Sequence, residues 1–372
     1  MRLVMPRGAR HLSSFLLWVV ALLYGGVPAH ASEAPYTSVG QASADPTKTP
    51  HIALLLPTGS EIFSKPAEAV RAGFLDAAAK QSGTPIPVRL YAATDDPKDI
   101  VRTYREAIAA GAKIIVGPLT RRGVTAVATT LNLITVPTLA LNVPEGVAAN
   151  PLNFYTLSLQ VEAEARQVAQ LALKDGRRKA LTITDQTTLA KRTRDAFIEE
   201  FQRGGGYQIA DYPYATDSAS LERMRQAAAI GVADMVFLGL DAPRARAVRP
   251  QLSSLPAYGT SQLNPGSTAL SGFIDLTDVR FVDMPWMLQA DHPAVMVYTR
   301  AATRESEDLG RLRALGIDAF RVAQELLSGK RDLDIDGVTG RLSLAPDGQV
   351  RRALPVARIA GGQVSVTADP KP

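Results

Sequence analysis

The chain has 372 residues, 46% of them apolar and 21% charged, with a formal charge of +5 and no cysteine. That supplies a large core, enough for two lobes, and it excludes disulfides, thiolate catalysis and Cys-ligated zinc. Three of the arginines behind the positive charge, Arg2, Arg7 and Arg10, stand in a leader without acids, so the remainder is nearly neutral and no nucleic-acid partner is expected.

After those arginines come an apolar run from Phe15 to Tyr24 and the small-residue stretch Pro28-Ala29-His30-Ala31-Ser32. This is the pattern of a secretory signal peptide over residues 1–31, cleaved after Ala31. The run is much shorter than the roughly 20 apolar residues of a membrane span, so no transmembrane segment is expected in the mature protein. With no cysteine to lipidate, the expectation is a periplasmic protein without an outer-membrane anchor. Residues 32–50, rich in Ser, Thr, Ala and Pro with no apolar period, read as a flexible linker.

Strands and helices then alternate. "HIALLLP" (51–57) is a continuous apolar run of the buried parallel type, and Ala67, Val70, Phe74 and Ala77 follow at helical spacing. "IPVRLYAA" (86–93) reads as a strand, "DIVRTYREAIAAG" as a helix, "KIIVGP" as a third strand, 121–131 as a helix and "VPTLAL" (136–141) as a fourth strand. A second series comprises the helix "VEAEARQVAQLALKDG", the strand "KALTITD", the helix "LAKRTRDAFIEEFQRGGG" and the strand "YQIADYPY". A helix through Met224, the strand "ADMVFLGL", an arginine-bearing helix and "AYGTSQL" complete it. Last come a long helix over 309–329 and antiparallel strands with turns at Asp347-Gly348 and Gly361-Gly362.

This order predicts an α/β, type I periplasmic-binding-protein fold: two doubly wound lobes with a cleft between them at the carboxyl ends of the strands. The expected division is 51–158 with 291–335 for lobe one, and 159–290 with 336–367 for lobe two.

Motifs for chemistry are missing. Neither G-x-x-x-x-G-K-[ST] nor G-x-G-x-x-G nor G-x-S-x-G occurs, and beyond the leader only His51 and His292 remain, in no metal-ligand spacing. The acids at Asp95-Asp96 and around Asp332, Asp334 and Asp336 lie in predicted turns. No cofactor, metal or catalytic residue is assigned, and an enzyme is not expected.

Polar residues nevertheless follow the strands at the expected cleft: Thr58, Ser60, Thr120, Asn142, Ser158, Asp185, Asp241 and Ser261. They could hold a small polar ligand through hydroxyls and helix N-termini, or simply cap helices and turns. Arg121 and Arg122 open one helix, and Arg244 and Arg246 another. Cations are poorly placed for the helix dipole there, by about 0.3–1 kcal/mol each. They read either as solvated surface residues or as a basic cleft rim facing an acidic partner or ligand.

Several stretches together carry a resemblance. They are "IALLLPTGSEIFSKPAEAVRAGFLDA", "IIVGPLTRRGVTAVA", "FYTLSLQVEAEARQVAQLALKDGRRKALTI", "RPQLSSLPAYGTSQL", "VRFVDMPWML", "LRALGIDAFRVAQEL" and "DGVTGRLSLAPDGQVRRALPVARI". The chain resembles the penicillin-binding-protein activators of the LppC/LpoA lipoprotein type from His51 to about Val366, with "FVDMPW" the most specific segment. The resemblance implies a non-catalytic exported regulator that binds a class A penicillin-binding protein and stimulates peptidoglycan synthesis. The alternative it leaves is a periplasmic solute receptor of an ABC importer, for an amino acid, a peptide or a cell-wall fragment. Members of the family commonly carry a lipidated cysteine and an N-terminal helical-repeat domain, and neither is expected from these 372 residues.

Overall fold

The computed structural model describes residues 48–81, 86–130, 132–229, 232–252, 255–264, 266, 274–299, 306–360 and 363–367. The expected signal peptide and all but the last three residues of the expected linker lie outside them.

The first series is β1 (His51–Leu56), α1 (Ser64–Ala79), β2 (Val88–Ala92), α2 (Pro97–Ala109), β3 (Ala112–Val116), α3 (Arg121–Thr129), β4 (Thr138–Ala140) and β5 (Phe154–Leu157). The second is α4 (Val161–Lys174), β6 (Lys179–Thr184), α5 (Thr188–Arg203), β7 (Tyr207–Pro213), α6 (Ser218–Ala229), β8 (Met235–Gly239), α7 (Ala242–Val248), β9 (Ala257–Gly259) and β10 (Arg280–Val282). Two short helices, α8 (Pro285–Leu288) and α9 (Pro293–Met296), lead to the long α10 (Glu307–Leu327). The strands β11 (Asp334–Gly337), β12 (Gly340–Leu344), β13 (Gln349–Ala353), β14 (Val356–Ala360) and β15 (Gln363–Val366) end the fold.

Two sheets result, ordered β11-β12-β13-β5-β4-β3-β1-β2 and β15-β14-β10-β9-β8-β6-β7. β1 lies between β2 and β3, parallel to both, with helices over its two faces, which is why every residue of its apolar run is buried. The paired lobes are those of the type I periplasmic-binding-protein fold, as the order of elements predicts.

The expected lobe boundary at 335/336 needs correction. β12 pairs with β11 and β13, and β13 runs parallel to β5, so residues 336–353 complete the first sheet. The chain returns to the second sheet only at Leu354-Pro355, where β14 pairs antiparallel with β10. β5, β10 and β11 are strands the sequence does not announce. The turn at Asp347-Gly348 is present, with Gly348 at φ +80, whereas the one expected at Gly361-Gly362 lies outside the described residues. So does Leu131, the expected end of α3.

Lobe one closes through α1 against α10. Gly73 and Gly316 make the approach possible: a Cβ on Gly73 would come 1.9 Å from the Arg313 carbonyl oxygen, and one on Gly316 2.0 Å from that of Val70. Phe74 and Phe320 meet edge to face beside this contact, ring centroids 5.2 Å apart. The N-terminus of α10 is well made, with Ser306 as cap and Glu307 and Asp308 in the first turn. One apolar core cluster continues from α1 and α10 through Trp286 and Val338 to α4, α5 and Phe237, so it runs through both lobes.

Candidate functional site

The eight polar residues expected at the cleft do follow their strands, but the chain employs most of them internally. Ser60 is buried and its Oγ accepts the Phe63 amide at 3.2 Å. Thr120 caps α3, accepting from the Gly123 amide at 3.3 Å. Asn142 donates to the Leu119 carbonyl at 3.2 Å and accepts from the Val143 amide at 3.0 Å, tying the end of β4 to the loop before α3. Asp185 accepts from the Gln186 amide at 2.6 Å, and Asp241 caps α7 through the Arg244 amide at 2.9 Å. Ser261 lies in the buried junction described below. Of the eight, Thr58 and Ser158 are the two whose hydroxyls make no hydrogen bond to the described residues. Thr120 and Asp241 thus cap helices, and Ser60, Asn142 and Asp185 brace the turns after their strands.

Three of the four arginines find acids within the chain. Arg121 is 4.0 Å from the Glu162 carboxylate on the first turn of α4, and Arg192 of α5 approaches the same oxygen at 3.0 Å. Glu162 therefore answers the unfavourable dipole at α3, and it does so from the other lobe. Arg244 pairs with Asp241 and, at 3.7 Å, with Asp185, and lies over the Tyr214 ring 5.9 Å from its centroid. Arg246 is 3.3 Å from Asp275. The expected basic rim thereby contracts to Arg122, which is exposed and has no partner among the described residues.

Charge concentrates instead where the chain crosses between lobes. Glu164, in the first turn of α4, is buried; its Oε2 accepts the Ser261 amide at 3.0 Å, and Arg352 of β13 lies 3.6 Å from Oε1. The Arg352 guanidinium also donates to the carbonyls of Ser158 at 2.9 Å and Thr339 at 3.2 Å. Asp283, fully buried after β10, accepts from Arg311 of α10 and from Asn264, each at 2.8 Å. Arg311 reaches on to the Ser261 carbonyl at 3.2 Å. Gln167 of α4 holds both backbone groups of Leu354 at the third crossing, at 2.6 and 3.1 Å. Burial raises the Glu164 carboxyl above its ordinary value, with Arg352 opposing and Asp283 reinforcing the shift.

A related contact explains "DGVTG". Asp318, fully buried on α10, accepts the amides of Val338 at 3.1 Å and Thr339 at 2.7 Å and the Thr339 hydroxyl at 2.6 Å. A Cβ on Gly337 would come 2.6 Å from the Asp318 carboxylate, so only glycine fits there. Burial raises this carboxyl too, against the Thr339 hydrogen bond and Arg321.

Sequence reasoning passed over Glu164, Asp283, Arg311, Asp318 and Arg352. A signal was available for two of them, Asp283 in "FVDMPW" and Asp318 in "LGIDAF", as lone acids inside apolar runs. Chemically the junction is a network of charged and polar contacts that fixes one lobe on the other. Among the described residues no group of His, Asp or Glu could hold a metal ion, and no helix is long and apolar enough to cross a membrane.

Comparison with known proteins places this architecture. A family model described as "LppC putative lipoprotein" matches residues 41–229 and 219–361. The penicillin-binding protein activator LpoA of Enterobacter sp. (strain 638) is 24% identical over 325 residues, which are 74% of this chain and 44% of that protein. That of Vibrio antiquarius (strain Ex25) is 26% identical over 352 residues, 84% of this chain and 57% of the relative. The chain therefore spans about half the length of these curated relatives. Among solved structures, the C-domain of Haemophilus influenzae LpoA, described as a regulator of PBP1A, has the same fold: TM-score 0.74 at 21% identity, over 86% of this chain and 100% of that one. A structure described as a "putative branched-chain amino acid ABC transporter" from Chromobacterium violaceum ATCC 12472 has a TM-score of 0.71 at 36% identity, over 84% of this chain and 100% of that one. With its family model matched across both lobes, the chain belongs to the LppC family.

Proposed function

We propose that this protein is a non-catalytic, exported regulator that binds a class A penicillin-binding protein and activates it in peptidoglycan synthesis. The observation that carries this reading is the match to relatives named penicillin-binding protein activators, which runs through both lobes and the junction. The buried junction is consistent with it: a platform whose lobes are held in one relation suits surface recognition of a protein better than closure around a solute. Arg122 is the rim arginine left for such a partner. The leader directs the chain to the periplasm, and none of the 372 residues is a cysteine that could carry a lipid.

The test mixes the chain from Ser32 onward with a purified class A synthase. Complex formation and faster glycan polymerisation or crosslinking are expected; no complex and unchanged rates would refute the proposal.

The resemblance at 36% identity to a structure described as a transporter protein favours one second reading, a solute receptor. In that reading Thr58 and Ser158 face a small polar ligand. A thermal-shift screen with amino acids, peptides and muropeptides separates the two, since a ligand at 100 times its dissociation constant adds about 2.7 kcal/mol of stability. A flat screen leaves the activator reading.

A further inference from the structure

On lobe two, at the amino ends of the parallel strands and so at the far end from the cleft, lies an open concavity of about 780 Å³. Four arginines line it from separate parts of the chain: Arg177 after α4, Arg249 after α7, Arg280 on β10 and Arg358 on β14. The only acids in its lining are Asp175 and Asp278, so it carries two positive charges in excess.

The sheet register makes the clustering specific. Arg280 stands directly opposite Arg358 across the antiparallel β10–β14 pair, and opposite Tyr258 across the parallel β9–β10 pair. A phenol and two guanidiniums thus form a row on one face. Like charges directly opposite one another destabilise a sheet, and each of these has its own aspartate: Arg280 pairs with Asp175, and Arg358 donates to Asp278, in part through Nε at 3.0 Å. Asp175 also accepts the Tyr258 hydroxyl at 2.8 Å, which orients the phenol in the lining. Burial pulls the Arg249 guanidinium below its ordinary value, with the Asp278 charge opposing. The Arg177 side chain hydrogen-bonds the Tyr258 hydroxyl, while its Nε is buried without a hydrogen-bond partner among the described residues. Stabilising the C-terminus of α4 does not account for Arg177, because Arg178 already donates to the Leu173 carbonyl there, at 2.9 Å.

We propose that this concavity binds a phosphate-bearing anion. Guanidinium forks from several directions match the oxygens of a phosphate, and the surplus of arginines over acids in the lining favours an anion. The volume is that of a small-molecule site and exceeds a bare phosphate, so the ligand carries the phosphate on a larger body. That body is either a soluble phosphorylated compound or a phospholipid headgroup.

The experiment titrates the chain from Ser32 onward with inorganic pyrophosphate by calorimetry. Saturable binding is expected, weakened about tenfold or more in Arg177→Ala and in Arg280→Lys and unchanged in Arg102→Ala on lobe one. Arg177→Ala removes no carboxylate's partner and Arg280→Lys keeps Asp175 paired, so both variants retain the fold, which circular dichroism verifies. Co-sedimentation with phosphatidylglycerol vesicles but not phosphatidylcholine vesicles, competed by pyrophosphate, identifies the headgroup as the source. Pyrophosphate binding without co-sedimentation identifies a soluble ligand. No pyrophosphate binding stronger than about 1 mM, or equal binding in all variants, overturns the proposal.

Discussion

Replacing Arg352 by alanine tests whether the junction is held by its buried charges. The side chain makes three polar contacts, to the Ser158 carbonyl at 2.9 Å, the Thr339 carbonyl at 3.2 Å and Glu164 at 3.6 Å, and it is 5% exposed. Its loss leaves the Glu164 carboxylate buried with only the Ser261 contact and strips a donor from two carbonyls. Breaking a buried pair from one side costs about 3–5 kcal/mol. The open groove beside α4, lined by Ser158, Gln167 and Arg351 among others, admits water that recovers part of the two lost backbone bonds. About 4 kcal/mol is therefore expected. Removing both charges, as Glu164→Gln with Arg352→Met, should cost only about 1–2 kcal/mol, because no uncompensated ion remains. The assay is urea unfolding followed by fluorescence: in a chain begun at Ser32 the sole tryptophan is Trp286, which lies at the second crossing. A single-variant cost below about 1 kcal/mol, or a double variant as costly as the two singles added, would refute the reasoning.

Four further outcomes are expected. Since burial raises Glu164 above its ordinary 4.5 in the folded state, its contribution is full below that pH and is lost as pH rises through the raised value; the stability of wild type relative to Glu164→Gln should fall from pH 4.5 upward, and a constant difference would contradict this. Asp318→Ala should cost about 3 kcal/mol in chemical denaturation, because the Val338 and Thr339 amides lose their acceptor. Gly316→Ala should cost about 3 kcal/mol despite the better helix propensity of alanine, since its Cβ would strike the Val70 carbonyl. Arg121→Ala should change stability by less than about 0.5 kcal/mol, the weak 4.0 Å pair being offset by the relieved dipole, whereas Glu162→Ala, which orphans Arg121 and Arg192 together, should cost about 1 kcal/mol.

The order of elements was legible because the long elements carry strong periods: β1 is apolar on both faces, and α1 and α10 each show one apolar stripe. β5 and β10, of four and three residues, are too short for any period to register. The lobe boundary was unreadable for a different reason. β12, β13 and β14 alternate in the same manner, and which sheet each joins is decided by the partner it meets, β5 or β10, far away in sequence. At the candidate site, the acid that accommodates Arg121 stands on the other lobe, and Glu164 and Arg352 are joined only by the fold. A lone acid in an apolar run could be seen; its partner could not.

The close seating of α1 on α10 has a consequence for how the molecule is made. The face of α1 carrying Val70, Phe74 and Ala77 is only partly covered until α10 has been synthesised, the first sheet lacks β11 to β13 until then, and the second sheet likewise waits for β14 and β15. Neither lobe is a continuous piece of chain, so a polypeptide stopped near residue 300 contains neither one complete. Both reach their native state only once the last sixty or so residues arrive. Such a chain lacks its native packing until synthesis is nearly finished, and incomplete packing is the condition in which a polypeptide can be threaded through a membrane.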